Sequence, residues 1–367
     1  MQIGILIILF LYALLIIRYT LGWYKVKEIT NKGFTPKVSI LIAMRNEENE
    51  VVRLVQNLQY QIYPTDKLEL ILVNDHSTDN TLNVLKSIQL DNLQVINMPN
   101  GQFGKKIAIK KAVEQASGDI ILATDADCSF NQNWVQTMTN YFADESIKLV
   151  SGPVALHKKK GLFFRLQELE FSSLIASGAG AVGINNAIFC NGANMAFRKE
   201  VFLEINEFAT DSAVSGDDVF LLHSVKHKYL NAIAFAKQDN AIVTTDAVQT
   251  LHGFINQRKR WTAKSSLYKD KASIYTSFLV LFTNLALVFI FVMQFWNIEY
   301  FNLFILFYGV KFLVDLILLF PVLKFFKRTD LVKWIFPFEI FYSIYIVSIV
   351  ILSFTKSFEW KGRTHNK

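Results

Sequence analysis

The chain has 367 residues, of which 52% are hydrophobic, 14% aromatic and only 19% charged, and its mean hydropathy is +0.27. This balance excludes a disordered, a fibrous or a secreted disulfide-rich protein. The chain is too apolar for an ordinary soluble enzyme and too charged for a pure membrane bundle, so we expect one part in a membrane and one part in water. Two cysteines, Cys128 and Cys190, give no disulfide framework, which suits a domain facing a reducing cytoplasm.

The first apolar stretch is at the N-terminus. Residues 1–17 carry no charge, and Arg18, Lys25 and Lys27 follow. A cleaved signal peptide would instead carry basic residues before the apolar run and a small-residue cleavage site after it. The pattern predicts a retained transmembrane helix over residues 1–23, with its C-terminal end in the cytoplasm because the excess of Lys and Arg is on that side.

The C-terminal third contains three further apolar stretches, at 274–298, 300–323 and 334–355. Such stretches can cross a bilayer of roughly 30 Å, so we expect two to three transmembrane helices in the region 273–355. Lys311 and Asp315 interrupt the second stretch. Because they are four residues apart, they share a helix face, and we expect them to neutralise each other.

A basic tail, 356–367, follows the last stretch. If all three stretches cross fully, this tail ends outside the cell, against the positive-inside tendency. Two alternatives stay open. Either one stretch is re-entrant or interfacial, or the tail is exported.

Most of the net positive charge lies just before the C-terminal apolar region. Lys and Arg number 38 against 31 Asp and Glu, a net charge of +7, and residues 258–271 hold six of the cations and one acid, or +5. We predict a basic interfacial segment over residues 258–272 that faces anionic headgroups or a bound phosphate. No nucleic-acid-binding signature accompanies it, so we expect no nucleic-acid partner.

Residues 36–257 predict one cytoplasmic α/β domain. Apolar runs predict strands at 38–43, 68–73, 94–98 and 119–123, and helical spacing predicts helices at 47–60 and 105–115. This alternation is typical of βαβ units around a parallel sheet, which binds its ligand beyond the carboxyl ends of the strands. Polar clusters follow these strand ends at 45–47, 74–75 and 124–127. The glycine-rich dinucleotide and P-loop motifs are absent.

Two acidic clusters of this domain can carry chemistry. Asp125 and Asp127 follow a strand end, where they could bind a divalent cation, although most loop Asp-x-Asp pairs only form turns. Asp217 and Asp218 open a predicted helix, for which simple capping is the alternative. The stretch 177–194 is rich in Gly, Ala and Asn, which predicts tight packing around a ligand or a neighbouring backbone.

Three motifs occur in order along the chain: Asp125-Ala126-Asp127, Gly216-Asp217-Asp218 and Gln257-Arg258-Lys259-Arg260-Trp261. Shorter matches accompany them at 38–40, 45–48, 73–79, 192–196 and 360–363. Over nearly the whole chain this set resembles the family 2 glycosyltransferases, most closely membrane-anchored members such as the ceramide glucosyltransferase-like enzymes. The resemblance implies a GT-A fold, a nucleotide-binding α/β sandwich, within a multi-pass protein of the cell membrane.

The resemblance also implies roles for single residues. Asp218 would be the catalytic base, with Asp217 beside it in acceptor binding. The donor nucleotide sugar would be bound by Arg45, Glu47, Asp75, Lys105 and Asp125. The diphosphate and the acceptor would contact Gln257, Arg258, Arg260 and Trp261. Mg²⁺ or Mn²⁺ would be held by Asp125 and Asp127. For Lys105, an exposed lysine at a helix start is an equal alternative.

These roles predict an inverting glycosyltransferase that moves a sugar from a nucleotide-sugar donor, preferably a UDP-sugar, to a lipid or membrane-delivered acceptor by metal-assisted single displacement. A processive polysaccharide synthase of the same family is the alternative, although three C-terminal stretches are few for a channel. A membrane transporter is disfavoured because the spans carry one Lys/Asp pair and no internal repeat. An inactive binding module would be expected to have a damaged motif. His76 is predicted to be a turn residue and Cys128 a packed one.

Overall fold

The computed structural model describes residues 2–29, 33–205, 217–353, 357–360 and 363–366. The chain forms two compact units, which we call the α/β unit and the helical unit. The α/β unit comprises Val26–His157 and Phe189–Asp246, and the helical unit comprises Met1–Lys25, Lys158–Ile188 and Ala247–Lys367. The helical unit thus includes residues 158–188 and 247–257, which lie within the α/β domain that the sequence predicts over residues 36–257.

Helices and strands are numbered along the whole chain. The strands of the α/β unit are β1 (Val38–Met44), β2 (Leu68–Asn74), β3 (Leu93–Asn97), β4 (Ile120–Thr124), β5 (Ser129–Phe130), β6 (Leu149–Ser151), β7 (Val154–Leu156), β8 (Met195–Arg198), β9 (Ile233–Phe235) and β10 (Val243–Thr245). Its α-helices are α2 (Val51–Gln59), α3 (Thr81–Ser87), α4 (Lys105–Gln115), α5 (Trp134–Thr139), α7 (Lys199–Glu204) and α8 (Asp217–Lys228).

A seven-stranded sheet runs through the α/β unit in the order β3-β2-β1-β4-β8-β6-β9. The first four strands of this order are parallel, and β1 and β4 are almost entirely buried. Strands covered on both faces favour apolar side chains on both, which explains why each of these strands is apolar at every position but one, Ser39 in β1 and Thr124 in β4. β8 is antiparallel to both β4 and β6, and a small second sheet has the order β5-β10-β7.

The four predicted strands and both predicted helices are confirmed. α4 has its predicted bounds, whereas α2 begins at Val51 rather than at Glu47. The residues before Val51 form a turn in which the Glu47 N–H donates to the Thr81 hydroxyl at 2.8 Å. The sequence did not predict β6, β8 and β9, because strands of three or four residues carry too little periodicity to be recognised.

The helical unit contains α1 (Gln2–Lys25), α6 (Leu162–Gly183), α9 (Leu251–Ser265), α10 (Lys271–Met293), α11 (Glu299–Phe325) and α12 (Val332–Ser353). Within the described residues, four helices are long and apolar enough to cross a membrane: α1, α10, α11 and α12 with its preceding turn. This agrees with the predicted arrangement of one N-terminal helix and up to three C-terminal helices.

The C-terminal residues form a hairpin of β11 (Ser357–Trp360) and β12 (Arg363–Asn366). Within the helical unit, β11 lies against α9. Because α9 precedes the first C-terminal candidate span, this contact favours the alternative in which one of the three apolar stretches does not cross fully.

The charged side chains among the apolar helices pair with one another. Lys311 is fully buried, and its Nζ donates to Asp315 Oδ2 at 2.7 Å and also to a Glu339 carboxylate oxygen. The Tyr12 hydroxyl of α1 donates to Asp315 Oδ1 at 2.7 Å. The predicted neutralisation of Lys311 by Asp315 is confirmed, and the cluster also joins α11 to α1 and α12.

α1 and α6 cross at glycines. A Cβ atom on Gly180 would overlap the carbonyl oxygen of Tyr19, and one on Gly183 would overlap the carbonyl oxygen of Gly22. Two helix backbones can approach this closely only where side chains are missing. The stretch 177–194 was predicted to pack tightly around a ligand or a neighbouring backbone. In the part of this stretch that belongs to α6, the neighbour is the backbone of α1.

Gly180→Ala should destabilise the protein, because the obstructing atoms belong to the backbone of α1 and cannot rotate away. We expect a loss of about 1–3 kcal/mol of unfolding free energy, measured as a lower thermal unfolding temperature in detergent. Gly309→Ala in α11 is the matched control, since no described atom outside the adjacent backbone of α11 lies within 4 Å of its added Cβ. Equal unfolding temperatures for the two variants would contradict this explanation.

Candidate active site

The carboxyl ends of β1, β2 and β4 meet at one edge of the sheet. In the ladder, the last residues of β1 and β2, Met44 and Asn74, are opposite each other, and β4 pairs with β1 on its other side. The loops that follow these strands carry Arg45, Asp75 and Asp125. The parallel register therefore brings three predicted donor-binding residues to the edge where α/β sheets bind ligands.

Arg45 joins the loops after β1 and β2. Its Nη1 donates to the carbonyl oxygens of Asp75 at 3.1 Å and of His76 at 2.7 Å. His76 has a φ of 55°, in the left-handed region, so the chain turns sharply there. The prediction of His76 as a turn residue is confirmed. Arg45 shapes this turn by bonding to the carbonyl oxygens of Asp75 and His76.

The Asp75 carboxylate is buried, with both oxygens in contact with a polar group. Oδ2 accepts from the Gly104 N–H at 3.1 Å, and Oδ1 lies 3.0 Å from His76 Nδ1. Gly104 has a φ of +104°, a conformation that side chains rarely adopt, which explains a glycine at this position. The Phe103 ring lies against the His76 ring, with centroids 4.3 Å apart. Asp75 therefore contacts the His76 ring, which in turn packs against the Phe103 ring.

Lys105 connects the start of α4 to the loop after β4. Its Nζ donates to Asp125 Oδ1 at 2.5 Å, and the two side chains are 22% and 39% exposed. The structure thus places a positive charge beside Asp125 at the sheet edge. That Lys105 and Asp125 bind the donor stays a prediction.

Asp127 is held by β10. Thr245 donates its hydroxyl to Asp127 Oδ2 at 2.8 Å, and Arg53 of α2 donates to the Asp127 carbonyl oxygen at 3.2 Å. Burial raises the pKa of the neighbouring Cys128 thiol well above its ordinary value, and the carboxylates of Asp125 and Asp127 raise it further. A thiol that stays protonated is a poor nucleophile, so Cys128 is a packed residue, as predicted.

The two carboxylates of this loop suit a hard divalent cation. Carboxylate oxygens are ligands that Mg²⁺ and Mn²⁺ prefer, and the Thr245 hydroxyl is a neutral partner that leaves the charge of Asp127 in place. In the described ranges, no group of three His, Cys, Asp or Glu could hold a metal ion. A cation held by Asp125 and Asp127 would therefore need water or phosphate oxygens as further ligands, which is usual for Mg²⁺.

Asp218 reaches the same edge through the loop before β8. Thr124, the last residue of β4, donates its hydroxyl to the Ala193 carbonyl oxygen at 2.8 Å. The adjacent N–H of this loop, that of Gly192, donates to Asp218 Oδ2 at 3.0 Å, and Oδ1 accepts from the Val219 N–H at 2.8 Å. Charge-assisted hydrogen bonds to the main chain thus fix the carboxylate at the start of α8.

The residues of the third motif are on α9, in the helical unit. Arg258 is 4% exposed; its Nε donates to Glu170 Oε1 at 2.9 Å and its Nη2 to Glu170 Oε2. The Tyr345 hydroxyl donates to Glu170 Oε1 at 3.3 Å, and the guanidinium lies 4.2 Å from the Trp261 ring centroid. Burial alone would lower the pKa of Arg258, but the Glu170 carboxylate outweighs it and the pKa is raised. Arg258 therefore stays charged within a bidentate ion pair.

The predicted site residues fall into two groups. The edge of the sheet in the α/β unit brings together Arg45, Asp75, Lys105, Asp125, Asp127 and Asp218. The helix α9 of the helical unit carries Gln257, Arg258, Arg260 and Trp261. Glu47 lies in the loop after β1, where its N–H bonds to α3. Gly216, Lys361, Gly362 and the side chain of Asp217 lie outside the described part of the chain.

Sequence reasoning missed two partners of the site residues. Thr245 is 118 residues from Asp127 along the chain, in a β-branched run whose only signal is that of a strand. Glu170 is one of three charged residues near the start of α6, with Arg165 and Glu168, and nothing in the sequence distinguished it from them. Both contacts arise from tertiary packing, so no local spacing rule could have paired these residues.

The parallel sheet with acids at its carboxyl edge defines a GT-A-like α/β fold. The chain is similar in fold to a mannosyltransferase, PcManGT from Pyrobaculum calidifontis, solved in complex with GDP-Man and Mn²⁺. The likeness covers 96% of this chain and 98% of that one, with a TM-score of 0.61 and 15% sequence identity. Residues 39–205 match the family described as Glycosyl transferase family 2. Residues 39–205, a little under half of the chain, are therefore similar to a family 2 glycosyltransferase domain.

Two relatives extend this likeness in sequence. Poly-beta-1,6-N-acetyl-D-glucosamine synthase of Staphylococcus aureus is 25% identical over 231 residues, which are 61% of this chain and 53% of the synthase. Glycosyltransferase AglE of Haloferax volcanii is 26% identical over 186 residues, which are 50% of this chain and 59% of AglE. The chain thus spans little more than half the length of these relatives. Membership of the ceramide glucosyltransferase-like group stays a prediction.

Thr245→Val should weaken metal binding, because Asp127 would lose the hydroxyl that orients it. Loss of such an outer partner lowers metal affinity about 10–100-fold. The measurement is the dissociation constant of Mn²⁺ for the purified protein, read by electron paramagnetic resonance and independent of turnover. Thr245→Ser should restore the affinity, and Thr244→Val on the same strand is the matched control. Unchanged Mn²⁺ affinity in Thr245→Val would exclude this role.

Arg258→Met should destabilise the protein by about 3–5 kcal/mol, because it leaves the Glu170 charge buried without its main partner. The double variant R258M/E170M removes both charges and should recover most of the loss in thermal unfolding temperature. Equal losses in the single and the double variant would show that the ion pair is not the cause. Sugar transfer by the double variant tests the predicted diphosphate contact of Arg258 separately.

Proposed function

We propose that this protein is an inverting glycosyltransferase that moves a sugar from a nucleoside-diphosphate sugar to a lipid or membrane-delivered acceptor. The observation that carries the proposal is the sheet edge at which Asp75, Lys105, Asp125, Asp127 and Asp218 come together. The family match over residues 39–205 supports the same class of reaction. A single displacement needs a bound donor, a stabilised leaving group and a base, and this edge offers candidates for all three.

The donor is bound by the loops after β1, β2 and β4. Asp75, buried beside the His76 ring, faces the nucleoside, with Glu47 from the neighbouring loop. Lys105 brings positive charge to the diphosphate side, where its ion pair with Asp125 supports this assignment. We favour a UDP-sugar as the donor.

Negative charge grows on the diphosphate as the bond to the sugar breaks, and it must be neutralised. Mg²⁺ or Mn²⁺ bound by Asp125 and Asp127 would supply that neutralisation. The hydrogen bond from the Thr245 hydroxyl orients the Asp127 carboxylate and adds no charge to it.

Asp218 is the proposed base. The attacking hydroxyl is too weak an acid to lose its proton unaided, and a carboxylate within hydrogen-bond reach contributes about 10²–10⁴-fold to the rate. Asp218 is fixed by the Gly192 and Val219 N–H groups and is separate from the loop that would hold the cation. Direct displacement then inverts the anomeric centre and forms no covalent sugar–enzyme intermediate, with Asp217 next to the base in acceptor binding.

The acceptor side of the proposal rests on the helical unit. Its four candidate spans support a multi-pass protein of the cell membrane, with the α/β unit in the cytoplasm. The basic segment 258–272 runs from the second half of α9 to the first residues of α10, which suits a position at the cytoplasmic surface, close to lipid headgroups. Gln257, Arg258, Arg260 and Trp261 of α9 are the candidates for contact with the diphosphate and the acceptor.

A second candidate is a polysaccharide synthase of the same family. The observation in its favour is the name of the Staphylococcus aureus relative, a synthase of poly-beta-1,6-N-acetyl-D-glucosamine. Single transfer and polymerisation use the same sheet edge, so the length of the product distinguishes them.

The experiment is a nucleotide-release assay on the purified full-length protein with a panel of UDP- and GDP-sugars and lipid acceptors. We expect one donor to release nucleoside diphosphate in the presence of Mg²⁺ or Mn²⁺, and excess chelator to abolish the release. Mass spectrometry of the product reports one added sugar or a polymer, and NMR of the product reports its anomeric configuration. No release with any donor would contradict the proposed function.

Asp218→Asn should lower the transfer rate by about 10²–10⁴-fold while donor binding stays normal. Asp119→Asn is the matched control, because Asp119 is exposed and precedes the opposite end of β4. If Asp218 only caps α8, its variant would lose about 0.5–2 kcal/mol of stability and still turn over. Near-normal turnover of a folded Asp218→Asn protein would refute the assignment of the base.

A further inference from the structure

Two segments of the helical unit lie together at the end of α11. Arg328, which follows α11, forms an ion pair with Glu168 of α6. The guanidinium of Arg165, one turn earlier in α6, lies 5.4 Å from the ring centroid of Trp334 in α12. The segments 158–170 and 324–333 are thereby packed into one surface.

This surface is strongly basic. Its six lysines, which we call the lysine surface, are Lys158, Lys159, Lys160, Lys324, Lys327 and Lys333. The two segments contain three acids, and each bonds to an arginine. Glu168 and Asp330 bond to Arg328, and Glu170 bonds to Arg258. The charge of the lysines therefore dominates the field at this surface.

The lysine surface combines exposed charge with exposed apolar groups. All its members except Lys159 are exposed, and the side chains of Leu162 and Phe336, next to it in sequence, are 52% and 54% exposed. α11, a candidate span, ends between Lys324 and Lys327. Lysines beside apolar side chains at the end of a span are typical of the headgroup layer, where the apolar groups enter the acyl region and the ammonium groups remain outside.

The turn at Lys327 gives a second, independent observation. Lys327 has a φ of 58°, in the left-handed region, at the position after the helix end where glycine is usual. The turn is closed by the Arg328 N–H, which donates to the Leu323 carbonyl oxygen at 2.7 Å. A lysine in this conformation carries strain that glycine would avoid, so the needs of the turn do not explain the residue.

We propose that the lysine surface is a binding site for anionic phospholipids, whose phosphate groups the lysine ammonium groups contact. Clusters of this size next to a transmembrane helix attract anionic headgroups, and the attraction falls off within a Debye length. The site is separate from the basic segment 258–272 and does not depend on the sugar-transfer activity. It gives the protein a preference for anionic over zwitterionic lipid at its boundary.

The test uses the full-length protein in nanodiscs of phosphatidylcholine that contain spin-labelled phosphatidylglycerol or spin-labelled phosphatidylcholine. The fraction of immobilised label measures the selectivity for the anionic lipid. We expect wild-type protein to select phosphatidylglycerol, with a selectivity that falls as salt is added. The variant K158Q/K159Q/K160Q should lose roughly tenfold or more of it. K86Q/K110Q/K111Q, in α3 and α4 of the α/β unit, is the control of equal charge and should retain it.

Lys327→Gly separates lipid binding from folding. Because glycine relaxes the turn, this variant should keep or raise the thermal unfolding temperature while lowering the selectivity about fivefold. Absence of any selectivity in wild-type protein would overturn the proposal, as would full selectivity in the triple variant. An equal loss in the α/β-unit control would overturn it too, since it would reflect total charge and no particular site.

Discussion

The hydrogen-bonded register of the parallel strands is the constraint on which the active-site arrangement depends. β1, β2 and β4 pair so that their carboxyl ends meet, and each ends in a polar loop. A slip of one residue in this ladder would turn every buried side chain toward the opposite face. The observed pairing therefore brings the loops that carry Asp75 and Asp125 to the same edge before any ligand is present.

Many contacts that hold the loops at this edge join a side chain to main-chain atoms. Arg45 bonds to two carbonyl groups, Asp75 and Asp218 accept from main-chain N–H groups, and Thr124 bonds to the carbonyl of Ala193. Main-chain partners remain in place whichever side chains surround them. A preorganised edge of this kind needs little rearrangement when charge develops during a reaction.

The sequence predicted what local patterns determine. The four parallel strands, α4 and the acids at strand ends followed from apolar runs and from the polar residues that stop them. Thr245 and Glu170 escaped prediction because their partners lie far along the chain, and Glu339 because nothing in its own helix shows that Lys311 of α11 will reach it. α2 starts later than predicted because residues 48–50 form a turn before it, and the Glu47 N–H ahead of this turn donates to Thr81.

Ion pairs inside the helical unit favour one arrangement of its helices. Lys311 is paired with Asp315 and Glu339, and Arg258 is paired with Glu170. Without these carboxylates, each cation would be a buried charge with no opposite charge beside it, which is strongly destabilising. Apolar helices can pack against one another in many registers with similar energies. A buried charge meets an opposite charge in only a few of these registers. The ion pairs therefore favour one register among several that the apolar contacts alone would make nearly equal in energy.

The glycine contact between α1 and α6 makes the N-terminal helix more than an anchor. Any apolar helix of sufficient length could attach the chain to a bilayer, but an ordinary one would meet Gly180 and Gly183 with side chains where α1 presents bare backbone at Gly22. Exchanging α1 for an unrelated signal anchor would therefore keep the protein in the membrane while leaving a groove along α6. In the folded chain the first 25 residues are thus a structural component of the helical unit and not an interchangeable targeting segment.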